Sequence, residues 1–333
     1  MFKYVIKRVL LMIPTLVGIT VITFAVVHLA PGDPASLKAQ TATDMLASES
    51  MTKEIVDNTR ELYGLDKPLY MQFLLWTKRV ATLDFGNSYR DHRPVMDKIK
   101  DALPITLTLN ILTILVIYIV SIPVGAYAAL RPRGLIDRAS AVVFMALYSL
   151  PSFWVAMMLI ILLAGGDYLN LFPITGIVSE GASALPWYDW VLNVGWHLVL
   201  PVTCLTYGGF AFLSRFTRAS MLDVIRQDYI RTARAKGLPE WKVVTRHALR
   251  NALIPLLTLM GTLLPALLGG SVIIEQIFSI PGMGRLGFES VLARDYPVIM
   301  AIATISAFLT LVSIFLADIM YAVVDPRISF EKR

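Results

Sequence analysis

The 333-residue chain is 56% hydrophobic and only 16% charged, with a formal net charge of +6 and a mean hydropathy of +0.65. Soluble domains average about 25% charged residues, so this composition excludes an ordinary soluble protein and predicts an integral membrane protein. A basic chain could also bind nucleic acid, but cytoplasmic loops of membrane proteins are rich in Lys and Arg, and we predict no nucleic-acid partner. The single cysteine, Cys204, excludes a disulfide framework within the chain.

Apolar stretches long enough to cross a bilayer, which takes about 20 helical residues, occur six times. They lie at 9–30, 104–130, 139–164, 196–216, 252–278 and 297–324. The first follows Lys3, Lys7 and Arg8 as a signal peptide would, but its apolar run is longer than that of a signal peptide. We therefore predict an all-α membrane protein with six transmembrane helices, the first of them retained.

Lys and Arg are distributed unevenly among the short loops. They are frequent before the first span, between the second and third, between the fourth and fifth, and after the sixth. The loop at 165–195 has none, and the loop between the fifth and sixth spans has only Arg285 and Arg294. Because positively charged loops stay in the cytoplasm, both termini are predicted to be cytoplasmic and residues 31–103 extracytoplasmic.

The chain divides accordingly into an N-terminal segment with the first helix at 1–30, an outer loop at 31–103 and a core at 104–333. The outer loop is long enough for a small helical cap. Its pattern predicts an amphipathic helix at 52–63 ended by Gly64, a second helix at 70–80, and a turn at 84–88. Such a cap could pack on the helix ends, receive an external partner, or do both.

The loop at 217–251, which we call the elbow loop, is polar and basic. Ser220 is a predicted N-cap for a helix that runs to about Lys236, and Gly237 suits the left-handed position that ends a helix. Pro239 can begin a second short helix at its first position. We therefore expect two short helices that meet at an elbow on the cytoplasmic side, where another protein could bind.

Ionisable residues are nearly absent from the centres of the spans, which disfavours a proton relay or an ion pathway. Glu275 lies near the outer end of the fifth span and Asp318 in the inner half of the sixth, with roles that the sequence leaves open. The four histidines show no metal-ligand spacing with Cys204, and no nucleophile elbow or GxxxxGK[ST] phosphate loop occurs. We expect no catalytic residue, metal or cofactor; if ATP energises this protein, a separate chain must bind the ATP and Mg²⁺.

The elbow loop resembles the cytoplasmic coupling loop of permease subunits of ATP-binding-cassette importers. That pattern is E-A-A-x-x-x-G, with nine residues before I-x-L-P. Residues 231–233 (RTA) stand at the E-A-A, Gly237 at the glycine and Leu249 at the late leucine. The chain departs from the pattern at Arg231, where the family has glutamate, and at Arg250, where it has proline.

Further motifs extend the resemblance over essentially the whole chain and make it similar to the B-type permease subunit of the peptide and nickel subfamily. They lie at 30–34 (APGDP), 84–89 (DFGNSY), 150–153 (LPSF), 280–284 (IPGMG), 294–297 (RDYP) and 325–327 (DPR). The resemblance implies half of a translocation pathway for di- or oligopeptides in the bacterial inner membrane. It implies as partners a second homologous permease, two cytoplasmic ATPases, an extracytoplasmic binding protein and membrane lipid. The same architecture would serve nickel chelates, glutathione or oligosaccharides, and an ion-coupled secondary transporter is a more distant alternative.

The resemblance also implies two sets of functional residues. The ATPase-coupling residues are predicted to be Arg231, Thr232, Ala233, Arg234, Ala235, Lys236, Gly237, Leu238, Pro239 and Trp241. Residues 278–297, which we call the outer segment, are predicted to form a re-entrant piece that faces the binding protein and the outer gate. Its candidate residues are Pro281, Gly282, Met283, Gly284, Asp295 and Tyr296. Pro281, Gly282 and Gly284 predict a non-helical link before a helix restarts at 296–297; a simple turn is the alternative.

Overall fold

The computed structural model describes residues 2–29, 56–58, 60–61, 64–165, 168–256, 267 and 269–324. The regular elements in these ranges are helices, with one isolated β-bridge between Asn87 and Pro94. In chain order the helices are α1 (Phe2–Leu29), α2 (Leu69–Thr82), α3 (Val95–Leu130), α4 (Leu135–Tyr148), α5 (Ser152–Leu163), α6 (Trp187–Ile225), α7 (Asp228–Ala235), α8 (Glu240–Lys242, continued by the π-helical Val243–Leu249 and by Arg250–Ala252), α9 (Val272–Ile277), α10 (Met283–Leu292) and α11 (Tyr296–Val324). The all-α prediction is confirmed for the part of the chain that the structure describes.

Four of the described helices are long and apolar enough to cross a membrane: Ile6–Leu29, Val95–Leu130, Trp187–Ile225 and Tyr296–Leu316. A fifth span results if α4 and α5, which are bent by 95° relative to each other, count as one. The middle of the predicted span at 252–278 lies outside the described residues. The count of six transmembrane helices therefore stays a prediction.

The predicted third span is broken at Pro151. This residue separates α4 from α5, and the predicted start at 139 is four residues late because α4 begins at Leu135. Proline removes a backbone donor and disfavours a helical conformation in the residue before it. The carbonyl of Leu150, at the break, accepts a hydrogen bond of 2.8 Å from the Tyr207 hydroxyl. The LPSF motif therefore marks a bend that is held by α6.

The helices α3 and α6 pack closely along much of their length. A Cβ added to Gly125 would lie 2.4 Å from the Ser214 carbonyl oxygen and 2.8 Å from Thr217 Cβ. One added to Gly209 would lie 2.6 Å from Ile117 Cδ1. Small residues permit such backbone approach between membrane helices, where packing and not water exclusion drives association. The two helices therefore form the rigid centre of the subunit.

Buried apolar residues of the described ranges form three clusters along α3, a helix about 54 Å long at 1.5 Å per residue. An outer cluster surrounds Val95 at the start of α3, a middle cluster surrounds Leu109, and an inner cluster surrounds Ala129 near its end. The cap packs in the outer cluster through Trp76 and Phe85. The elbow loop packs in the inner cluster, so the two lie at opposite ends of the subunit.

The described part of the cap agrees with the sequence pattern. The predicted helix at 70–80 is α2, and Gly64 has the predicted left-handed backbone, with φ of +67°. The predicted turn forms around Gly86, whose amide donates a 3.0 Å hydrogen bond to Asp84 Oδ1. Of the predicted helix at 52–63, residues 56–58 and 60–61 are helical and the others lie outside the described residues.

Two ion pairs join helices near the end of the subunit that holds the elbow loop. Arg8 on α1 lies 2.5 Å from Asp318 on α11, and Arg218 on α6 lies 2.7 Å from Asp137 on α4. Asp318, whose role the sequence left open, is therefore the partner of a cation on a neighbouring helix. This arrangement gives it a packing role between α1 and α11.

The close contact of α3 and α6 can be tested with Gly125→Ala. The new methyl group would press on the α6 backbone, so we expect a loss of stability of about 1–3 kcal/mol. The measurement is the midpoint of thermal unfolding of the purified subunit in detergent. Gly208→Ala on α6 is the matched control, because a Cβ there meets nothing within 4 Å and alanine favours a helix. Equal midpoints for the two variants would contradict the described packing.

Candidate functional site

The elbow loop contains two short helices, α7 and α8, as predicted, but its first helix begins later than expected. The helix α6 continues through Ser220 to Ile225, and α7 begins at Asp228 with Gln227 as its N-cap. The prediction of Ser220 as the N-cap is therefore wrong. The reason is that the longer α6 carries Met221 into the inner cluster, where it is fully buried, and this burial outweighs a local cap.

The turn between α7 and α8 is a Schellman motif. Gly237 has a φ of +75°, its amide donates to the Arg234 carbonyl at 2.9 Å, and the Leu238 amide donates to the Ala233 carbonyl at 3.4 Å. This pair of bonds satisfies carbonyls that the end of α7 leaves open. The left-handed prediction for Gly237 is confirmed. Pro239 is the N-cap of α8 and not its first helical residue, a difference of one position.

One face of the elbow loop is held by the subunit itself. Ile230 is 0% exposed, and Ala233 is buried beside it in the inner cluster, which also contains Ala126 of α3 and Val243 of α8. Leu238 packs against the same cluster. Ala233 and Leu238 therefore support the elbow from within, and a displacement of α7 would be passed directly to α3.

The opposite face of the elbow loop is open to solvent. Trp241 is 65% exposed, with Lys242 Nζ at 5.5 Å from the centre of its ring. Aromatic and basic side chains are common energetic centres of protein interfaces. The predicted coupling residues that are exposed are Arg231, Thr232, Arg234, Ala235, Lys236, Gly237, Pro239 and Trp241.

Arg234 is exposed but already engaged within the chain. Its Nη2 and Nε atoms donate to the two carboxylate oxygens of Glu240 at 2.7 and 3.2 Å, which joins α7 to α8 across the turn. The Arg234 guanidinium lowers the pKa of the Glu240 carboxyl below its usual value. The pair is exposed, so its contribution to stability is small, but its two-pronged geometry fixes the angle of the elbow.

The outer segment is more helical than the sequence predicts. The helix α10 begins at Met283, so Gly284 lies inside it and the non-helical link ends at Gly282. The reason is a cap: the buried Glu275 carboxylate accepts a 2.8 Å hydrogen bond from the Arg285 amide in the first turn of α10. The predicted restart of a helix at Tyr296 is confirmed by α11.

Most of the candidate residues in the outer segment are buried within the subunit. Pro281 is exposed, whereas Gly282, Met283, Gly284, Asp295 and Tyr296 are buried. The solvent-facing apolar residues of α10 are instead Phe288, Val291 and Leu292. A partner on this side of the subunit would therefore meet Pro281 and this flank of α10, whose three apolar residues are not among the predicted site residues.

Asp295 joins the outer segment to the cap. It is 1% exposed, and its carboxylate accepts hydrogen bonds from the Ser88 hydroxyl at 2.5 Å and the Tyr89 amide at 2.9 Å. The residues that meet here are up to 207 positions apart in the sequence. A second link lies nearby, where Glu289 pairs with Arg285 at 2.7 Å and with Arg90 at 3.2 Å. The DFGNSY and RDYP motifs are thus two halves of one contact.

This contact can be tested with Asp295→Ala, which would leave a buried hydroxyl and a half-buried amide without their acceptor. We expect a loss of about 2–6 kcal/mol in the attachment of the cap, since each unsatisfied group costs about 1–3 kcal/mol. The measurement is the rate at which trypsin cleaves the cap in reconstituted vesicles. Asp101→Ala is the control, because Asp101 pairs with Arg93 on the exposed surface. Equal cleavage rates for the two variants would contradict a holding role for Asp295.

In the described ranges no three His, Cys, Asp or Glu side chains come together as a metal site. Comparison with known proteins identifies the family. Residues 121–330 match the family described as the binding-protein-dependent transport system inner membrane component. Residues 1–110 match the corresponding N-terminal family of membrane components.

Similar proteins cover the chain from end to end. The oligopeptide transport system permease protein AppB of Bacillus subtilis is 41% identical over 99% of this chain and 100% of its own length. The dipeptide transport system permease protein DppB of the same organism is 37% identical over the full length of both chains. The peptidoglycan transport system permease protein YejB of Agrobacterium fabrum is 35% identical, again over both full lengths.

These matches confirm the resemblance drawn from the motifs, and they are to transport subunits and not to enzymes. The chain belongs to the family of inner membrane components of binding-protein-dependent transport systems, as a permease subunit of an ATP-binding-cassette importer.

Proposed function

We propose that this permease forms half of a translocation pathway for di- or oligopeptides and is driven through its elbow loop by a separate ATPase. The observation that carries the substrate class is the full-length similarity to permeases named for oligopeptide and dipeptide transport. Similarity to a permease named for peptidoglycan transport favours peptide-bearing cell-wall fragments as a second candidate. Nickel chelates, glutathione and oligosaccharides have no comparable support among these relatives.

The remaining half of the pathway would come from a second, homologous permease. Two cytoplasmic ATPases would bind ATP and Mg²⁺, and an extracytoplasmic protein would deliver the substrate. The distribution of Lys and Arg supports an orientation in which both termini and the elbow loop lie in the cytoplasm of a bacterium and the cap lies outside. The division into residues 1–30, 31–103 and 104–333 follows from this orientation.

The coupling patch that we assign comprises the exposed residues Arg231, Thr232, Ala235, Lys236, Gly237, Pro239 and Trp241. Arg231 and Lys236 can meet acidic groups of an ATPase, and the Trp241 ring can fill an apolar pocket. Ala233 and Leu238 support α7 and α8 from their packed face, and Arg234 joins the two helices through its pair with Glu240. The sequence-based set of coupling residues is thereby divided into residues that touch the partner and residues that support them.

The mechanism follows from how the elbow loop is attached. When ATP binding brings the two ATPases together, a patch docked on them moves as one body, because the Schellman turn and the Arg234–Glu240 pair fix its angle. The buried Ile230 and Ala233 carry this displacement to the inner end of α3. The α3–α6 pair is tightly packed, so it responds by rigid-body rotation, which can open one side of the pathway and close the other.

The experiment that tests this proposal uses ATP-driven uptake of labelled trialanine into vesicles that hold the complete transporter. We expect Gly237→Val to reduce uptake about tenfold, because a left-handed conformation costs an L-residue about 1–2 kcal/mol and valine would rebuild the turn. Gly237→Asn is the matched control, since asparagine tolerates this conformation. A Cβ at Gly237 meets nothing within 4 Å, so the subunit itself has room for either side chain.

Uptake should require ATP and resist a protonophore, whereas an ion-coupled transporter would show the reverse. Normal uptake by Gly237→Val would contradict the coupling role of the elbow loop. Uptake of peptidoglycan fragments but not of trialanine would favour the second candidate substrate.

A further inference from the structure

Glu275 is fully buried, 0% exposed, and its carboxyl oxygens accept hydrogen bonds from a hydroxyl group and from backbone amides. Its Oε1 accepts from the Thr106 hydroxyl at 3.2 Å and from the Ser271 amide at 3.3 Å. Its Oε2 accepts from the Arg285 amide at 2.8 Å. In each of these contacts a carboxyl oxygen of Glu275 is the acceptor, and both oxygens are used.

Glycines surround this carboxylate at distances that exclude any side chain. A Cβ on Gly282 would lie 2.6 Å from Glu275 Cδ, and one on Gly270, which has a φ of +60°, would lie 2.6 Å from Oε1. A Cβ on Gly284 would lie 3.0 Å from Oε2. The backbone therefore folds tightly around the carboxylate on three sides, and no larger residue at these positions would leave room for it.

The contacts of Glu275 in the described ranges are with a hydroxyl group and backbone amides. The Arg285 side chain is directed to Glu289, with 2.7 Å between Nε and Oε1. What faces the Glu275 carboxylate is the N-terminus of α10, where the helix dipole is positive. The hydrogen bond between the Arg285 amide and Glu275 therefore requires the first turn of α10 to keep its position.

Thr106 completes the arrangement from α3. Its hydroxyl donates to Glu275 and accepts a 2.8 Å hydrogen bond from the amide of Met283, the first residue of α10. One hydroxyl thus joins the central helix of the subunit to both the carboxylate and the start of α10. We call Glu275, Thr106 and the first turn of α10 the outer node.

The outer node lies between the surface that faces outward and the helices that move. On one side, α10 is tied to the cap through Glu289 and Arg90, and the segment after it through Asp295 and Ser88. On the other side, Thr106 belongs to α3, whose far end supports the elbow loop. A displacement of α10 can reach α3 through this hydroxyl and through Met283, which packs with Val95 and Ile99 of α3 in the outer cluster.

We propose that Glu275 and Thr106 are positioning residues that hold α10 against α3, so that binding of the external protein to the outer face is passed to the helices and through them to the ATPases. The inference rests on the proposed function for the identity of the outer partner. It assigns a role to Glu275 in transport that requires no proton transfer by this residue.

The test compares Thr106→Val, which keeps the shape but removes the hydroxyl, with Thr106→Ser, which keeps the hydroxyl. The readout is ATP hydrolysis by the complete transporter in vesicles, with and without the binding protein loaded with trialanine. We expect Thr106→Val to reduce the stimulation by the loaded binding protein about tenfold, the order expected for a lost hydrogen bond and an orphaned amide. Hydrolysis by Thr106→Val without the binding protein should stay within about twofold of that of the unmodified transporter. Thr106→Ser should behave like the unmodified transporter with and without the binding protein.

A second variant, Glu275→Gln, has the same size but would place an NH₂ group against donors. We expect the same loss of stimulation, and the combination with Thr106→Val should be no worse than Glu275→Gln alone, since both act on one contact. Hydrogen exchange of the Met283 and Arg285 amides gives a readout that needs no substrate. These amides should exchange about tenfold faster in Thr106→Val than in Thr106→Ser.

Equal stimulation and equal exchange in the valine and serine variants would overturn the inference. A valine variant that fails to assemble, or that loses unstimulated hydrolysis to the same extent, would also overturn it, because the hydroxyl would then have only a role in folding. If the unmodified transporter does not respond to trialanine while the amides exchange as expected, the proposed substrate fails and the outer node does not.

Discussion

Gly125 and Gly209 bring α3 and α6 so close that a single methyl group at either position would collide with the opposite helix. In a membrane this proximity is the main source of helix association, because lipid chains are as apolar as the side chains that they replace. The helix α3 runs from the outer cluster, which includes the cap, to the inner cluster, and α6 packs along it and ends at the elbow loop. Without this packing, movement of the elbow loop would be absorbed locally, and the two ends of the subunit would act independently.

Four acids of the described ranges, two of them buried and two half-buried, connect neighbouring segments. Asp137 and Asp318 are paired with arginines on neighbouring helices, and Asp295 and Glu275 accept hydrogen bonds from hydroxyl and amide groups. Each is held by partners within the structure, and they do not form a chain along which a proton or ion could move. Their arrangement serves attachment between helices, which suits a subunit whose conformation is set by proteins bound at its two ends.

The sequence predicts the features that depend on local chemistry. The left-handed Gly237, the helix α2 and the helical character of the described spans follow from residue type and hydropathy alone. The features that it misses depend on contacts between distant segments. The length of α6 is decided by burial of Met221 against α3, and the contact of Asp295 with Ser88 joins residues 207 positions apart. A single sequence also does not show which residues are exposed to solvent. Ala233 and Met283 lie in motifs that we predicted to face a partner, yet the helices packed beside them bury both. Only paired changes at such positions across many relatives could have indicated these contacts.

We propose that the elbow loop lies on the cytoplasmic side of the membrane and the cap on the opposite side, connected by α3. Since Cys204 is the only cysteine in the chain, a Cys204→Ala background allows single cysteines to be placed at the exposed positions Lys78 in the cap and Lys236 in the elbow loop. Labelling with a membrane-impermeant maleimide before and after permeabilisation of the inner membrane measures their sides directly. We expect Lys78→Cys to react from outside the sealed membrane and Lys236→Cys to react only after permeabilisation. Reaction of Lys236→Cys from outside the sealed membrane would contradict this proposal.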